Sequence, residues 1–61
     1  MSDLFPVDRQ MMIDEVRREI GARKQLYPRL VGEHKMNGRT ATRRIEIMEA
    51  VLAKLEAEEP R

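Results

Sequence analysis

Apolar residues recur at helical spacing in two stretches of this chain, with a polar turn between them. Ile13, Val16, Ile20, Tyr27 and Val31 follow one another at intervals of three, four, seven and four, which traces one stripe along a 3.6-residue helix. Ala41, Ile45, Met48, Leu52 and Leu55 repeat every three to four residues up to Ala57. The spacing predicts one helix over about residues 9–34 and a second over about 38–58.

The boundaries have chemical signals of their own. Asp8 is a preferred N-cap type, and Val7 and Met12 fall at the two positions of a hydrophobic staple around it. Asn37 can cap the second helix in the same way, with Met36 and Ala41 at its staple positions. The segment from Gly32 to Gly38 supplies the turn, most strongly punctuated by Asn37 and Gly38. Pro60 forbids further helix, and the stretch from Met1 to Val7, with Pro6 and no periodicity, reads as a flexible leader. One helical-hairpin domain over residues 8–59 follows.

Two residues weaken the first helix. Gly21 costs about 1 kcal/mol relative to Ala. Pro28 removes a backbone hydrogen bond and crowds the carbonyl four residues back, so the helix either kinks near Lys24 or breaks at Tyr27 and restarts. The stripe keeps its phase from Tyr27 to Val31, which favours a kinked continuation.

The fold class is therefore all-α: an antiparallel αα-hairpin in which Tyr27 and Val31 face Ala41 and Ile45, while Ile13 and Val16 face Leu52 and Leu55. Projection at 100° per residue leaves a surplus. Met12, Leu26 and Leu30 form a second apolar flank on the first helix, and Ile47 and Val51 form one on the second. A single partner helix cannot cover both, so two hairpins pairing into a four-helix bundle, or docking of the hairpin on another protein, are the expected ways of covering the protein-interface residues Met12, Leu26, Leu30, Ile47 and Val51. A monomeric hairpin with scattered exposed aliphatics is the alternative.

Length sharpens this expectation. A chain of 61 residues buries only about 60% of the surface that its unfolded form exposes. Cysteine is absent, which excludes disulfides and thiolate metal sites as supplements to the core and leaves self-association as the natural one. The absence of cysteine also suits a reducing, cytoplasmic setting. No apolar run reaches the roughly 20 residues of a membrane span, and the N-terminus lacks a signal-peptide pattern.

The net charge of +1 conceals a pattern. Residues 1–21 hold five acids and three bases, residues 22–44 seven bases and Glu33 alone, and residues 45–61 five acids and two bases. Folding at the turn gathers the bases near the hairpin tip. Arg29, Lys35, Arg39, Arg43 and Arg44 are candidate contacts to phosphate or nucleic acid, three of them near a helix N-terminus that itself favours anions. Against this stand a single Tyr and a single Phe for base stacking and a pI of 8.2, below the usual footprint of a nucleic-acid binder. Solvated pairing is the plainer reading, with Arg18 matched to Asp14 and Arg23 to Glu19 at i,i+4 spacing.

Candidate chemistry is sparse. Ser2, Thr40, Thr42 and the lone His34 assemble no nucleophile with a base and an orienting group. Glu33 and His34 are sequence neighbours that point apart on a helix, so neither builds a metal site locally. Adjacent acids such as Asp14 and Glu15 need only solvent. No catalytic, cofactor-binding or metal-ligating residue is assigned, and the chain is not read as an enzyme. The five methionines include Met12 and Met48 on apolar faces, where Met is a flexible filler.

The runs Arg18-Glu19-Ile20-Gly21, Tyr27-Pro28-Arg29, Lys35-Met36, Arg44-Ile45 and Met48-Glu49-Ala50 resemble a group of small, uncharacterised helical proteins of bacteriophages and prophages. The resemblance covers about residues 13–55. In those relatives a Thr often stands in place of Asn37, in keeping with a cap there, whereas Gly38 and the cluster from Arg39 to Arg44 depart from their more polar turn. The resemblance implies a phage accessory origin, and hence the host cytoplasm, without implying an activity. The expected function is a non-catalytic protein-protein interaction module, modulating a host or phage protein; the alternative is a nucleic-acid-associated factor that uses the basic tip.

Overall fold

The computed structural model of the chain describes residues 6–57. Two helices, α1 (Arg9–Gly32) and α2 (Gly38–Ala57), pack against each other, and no strand occurs among the described residues. Most of the expected leader, and the helix stop at Pro60, lie outside the described residues; Pro6 and Val7 are not helical.

Both N-caps are in place. Asp8 is extended (φ −111°, ψ 176°) and its carboxylate accepts the Met11 N–H at 2.9 Å, meeting one of the donors that a helix start leaves unpaired. The Asn37 side-chain oxygen accepts from the Arg39 N–H at 2.8 Å and the Thr40 N–H at 3.3 Å. Its backbone carbonyl accepts from Ala41.

Helix α1 runs unbroken through Pro28, leaving the Lys24 carbonyl without its usual donor four residues on. It stops at Gly32 rather than near residue 34, for a reason visible in the backbone. His34 has φ 62°, a left-handed conformation that turns the chain off the helix axis. The His34 N–H then donates to the Val31 carbonyl and the Lys35 N–H to the Leu30 carbonyl, at 3.1 and 2.8 Å. This pair of bonds is a Schellman cap, in which glycine usually takes the left-handed position. Here Gly32 and Gly38 flank the turn, and His34 takes the left-handed φ.

The helices are joined again at their far end. Arg9, the first residue of α1, donates from Nε to the Leu55 carbonyl at 2.8 Å and from Nη2 to the Glu56 carbonyl at 3.1 Å. The last carbonyls of a helix lack intrahelical donors and carry its negative dipole end, so a guanidinium there serves as both cap and counter-charge. The hairpin is thus fastened at the turn by Asn37 and the Schellman bonds and at its open end by Arg9.

Between these fastenings the core is thin. Ile13, Ile20 and Tyr27 of α1 and Ala41 of α2 are buried, at one position per two turns along α1. Ala41 is the only buried residue of α2; Ile45, Met48, Leu52 and Leu55 remain partly open to solvent. None of the large side chains among the described residues is completely enclosed.

Candidate protein-interaction surface

The hairpin is a slab of 44 × 29 × 15 Å, and its two broad faces differ in chemistry. On one, charged side chains bridge the helices: Arg17 pairs with Glu56, and Lys24 with Glu49 at 3.1 Å. These pairs lie at or near the surface and contribute at most about 1 kcal/mol each. Toward the turn the same face carries a shallow groove lined by Tyr27, Pro28 and Val31 of α1 and Ala41, Thr42 and Ile45 of α2, so its charged part is the middle and the open end.

The opposite face is apolar. Near the open end a shallow groove is lined by Val7, Met11, Met12 and Val16 from the α1 side and by Val51 and Leu55 from α2, with Glu15 at its rim. Toward the turn a second groove is lined by Tyr27 and Arg23 of α1 and by Arg44, Ile47 and Met48 of α2. Helical projection places Leu26 and Leu30 on the same flank of α1 as Met12. Met12, Leu26, Ile47 and Val51 are large apolar side chains left exposed, Ile47 at 51% and Val51 at 44%, and Leu30 is half-buried. The first groove joins Met12 to Val51; Ile47 belongs to the second. Met11 and Val7 extend the patch at the open end, exposed at 49% and 61%. They were not legible in the stripe, because Met11 projects away from it and Val7 precedes the helix.

Arg23, which lines the second groove, donates to the Glu19 carboxylate one helical turn earlier, and both side chains are partly covered. The Glu19 carboxylate, and after it the Tyr27 hydroxyl, raise the Arg23 pKa and so favour its charged form. The expected match of Arg18 with Asp14 does not form. Arg18 pairs instead with Glu15 at 3.2 Å, while Asp14 accepts from the Gln10 side chain at 2.9 Å; i,i+3 and i,i+4 partners lie at similar reach on a helix, and Gln10 has already claimed Asp14.

The basic residues near the turn are dispersed rather than convergent. Lys35 pairs with Glu33 and Arg43 with Glu46, each at 3.5 Å. Arg44 lies on the apolar face beside Ile47, and projection puts Arg29 on the outer side of α1 and Arg39 on the outer side of α2. The N–H groups of Arg39 and Thr40 that would meet an anion are already engaged by Asn37.

Among the described residues no group of three or more His, Asp or Glu stands together as a metal site, and no helix is long and apolar enough to cross a membrane. His34 is exposed in the turn. No protein-family model matches the chain, and no curated protein or solved structure matches it either.

Proposed function

We propose that this chain is a non-catalytic protein-protein interaction module whose working surface is the apolar face of the hairpin. The supporting observation is the asymmetry of the two faces: Arg17–Glu56 and Lys24–Glu49 span one, while Met12, Leu26, Ile47 and Val51 stand exposed on the other. Contiguous apolar surface of this kind on a small protein marks a site of protein contact. In the free protein two hairpins close face to face as a four-helix bundle. A target that offers a matching apolar helix surface takes the place of the second copy, which makes the protein a modulator of a host or phage protein in the host cytoplasm.

A nucleic-acid-associated role through the tip is the weaker reading, since Lys35 and Arg43 already have acidic partners and Asn37 occupies the helix N-terminus.

The test is paired substitution. Ile47→Asp and Val51→Asp alter exposed positions, so the helical circular dichroism of the hairpin survives while association, with itself or with a captured protein, is lost. Arg39→Glu with Arg43→Glu leaves association intact. Association that is indifferent to both apolar changes and lost with the arginine pair overturns the proposal.

A further inference from the structure

The geometry points to one arrangement for the second copy: it lies on the apolar face tip to tail, with its turn over the first copy's open end, and Glu19 and Arg23 of each copy meet across the two-fold axis. This rests on the apolar face being a protein-contact surface, and it adds the identity, direction and register of the occupant.

Symmetry of the patch is the first support. The turn is centred on Lys35, so Gly21 and Glu49, equally distant from it in sequence, stand about level; the cross-helix pair Lys24–Glu49 agrees with that alignment. About this level the flank expected from helical projection is evenly disposed, although Val7 and Met11 at the open end fall opposite Lys35 and the inner-stripe Val31. Met12 and Leu30 are equally far before and after Gly21, as are Val16 and Leu26, and Ile47 and Val51 flank Glu49 in the same way. An isologous two-fold contact requires a patch to be its own complement. A two-fold axis in the interface plane, crossing the helices at this level, lays Met12 on the partner's Leu30 and Ile47 on the partner's Val51. Helix α1 then runs antiparallel to the partner's α1, and α2 to the partner's α2.

Charge selects this direction over the other. The same axis sets Glu19, just before the central level, opposite the partner's Arg23, just after it. The Glu19–Arg23 ion pair thereby becomes a quartet of alternating sign. In the tip-to-tip alternative the second groove, which holds Arg23 and Arg44, meets its own copy. Four guanidinium groups would then converge. Tip-to-tail packing instead brings Arg23 and Arg44 of each chain toward Glu19 and Glu15 of the other, and juxtaposition of unlike potentials fixes direction in an interface.

The chain contains no cysteine, so single cysteines report direction cleanly. Met12→Cys and Leu30→Cys lie about 27 Å apart within one helix at 1.5 Å per residue, too far to be bridged in one molecule. Mixed and treated with a short bis-maleimide, they give a crossed dimer if the copies pack tip to tail. Leu30→Cys mixed with Thr40→Cys gives it if they pack tip to tip. A second pair reads the quartet: Glu19→Arg alone and Arg23→Glu alone each weaken self-association by about tenfold or more, and mixing the two restores it, because unlike quartets form only in the heterodimer. Crossed products from residues 12 and 30, together with rescue on mixing, support the inference. Crossed products from residues 30 and 40, or a mixture no tighter than its components, overturn it. A monomer whose capture of another protein is still lost with Ile47→Asp also overturns the second-copy inference while leaving the interaction surface standing. A monomer indifferent to Ile47→Asp in every assay removes both.

Discussion

The Arg9 guanidinium, at the first residue of α1, donates to the carbonyl of Leu55 in the last turn of α2 at 2.8 Å. This bond spans nearly the whole described chain and closes the end of the hairpin that the turn does not. A charge-assisted hydrogen bond to a carbonyl contributes more than a neutral one. Partial exposure at a helix terminus reduces the gain, so Arg9→Ala should cost about 1 kcal/mol. Urea unfolding at fixed protein concentration measures this, and hydrogen exchange should show faster opening of the last turn of α2 than of its first. Arg9→Lys, which cannot repeat the two-pronged contact, should recover only part of the loss. Unchanged stability and exchange in Arg9→Ala would mean that the guanidinium is not holding the open end.

His34 should accept glycine with profit. Its φ of 62° is unfavourable for a side chain with a Cβ, whereas glycine adopts it freely, so His34→Gly is expected to stabilise the protein by about 1 kcal/mol. Entropy gained by the unfolded chain offsets some of this. A drop in the urea midpoint would contradict the Schellman geometry.

Two positions in α1 should also accept better helix formers. A Cβ at Gly21 meets no atom within 4 Å, so Gly21→Ala should stabilise by about 1 kcal/mol. Pro28→Ala restores the donor to the Lys24 carbonyl and should gain about 1–3 kcal/mol, provided the helix axis stays in place. Projection sets Gly21 on the flank of Lys24 and Arg17, away from the apolar face. Its substitution should therefore raise the thermal midpoint without changing self-association, as sedimentation would report. Weakened association in Gly21→Ala would place a second chain on the charged face instead.

Much of the fold was legible because local chemistry and periodicity agree. Asp8 and Asn37 cap as their residue types dictate, and the Tyr27–Val31 phase carried α1 through Pro28. The surplus flank of Met12, Leu26, Ile47 and Val51 followed from projection alone. What escaped depends on contacts remote in sequence or on backbone angle. Nothing local marks Arg9 as the cap of a helix that ends near Ala57. His34 takes a conformation that composition would give to Gly32 or Gly38. Arg23 reads as the surface partner of Glu19, yet it lines a groove of the apolar face together with Ile47 and Met48, which emerges only when both helices are placed. The basic residues near the turn, gathered by sequence, are scattered by the helical phase that separates Arg29, Arg39 and Arg44.

If a second copy covers the apolar face of the hairpin, sedimentation equilibrium at micromolar concentration should return a helical species of twice the 7.2 kDa chain mass, shifted toward the single-chain mass by Ile47→Asp or Val51→Asp. A well-folded 7.2 kDa species whose mass and stability do not change with protein concentration would contradict it.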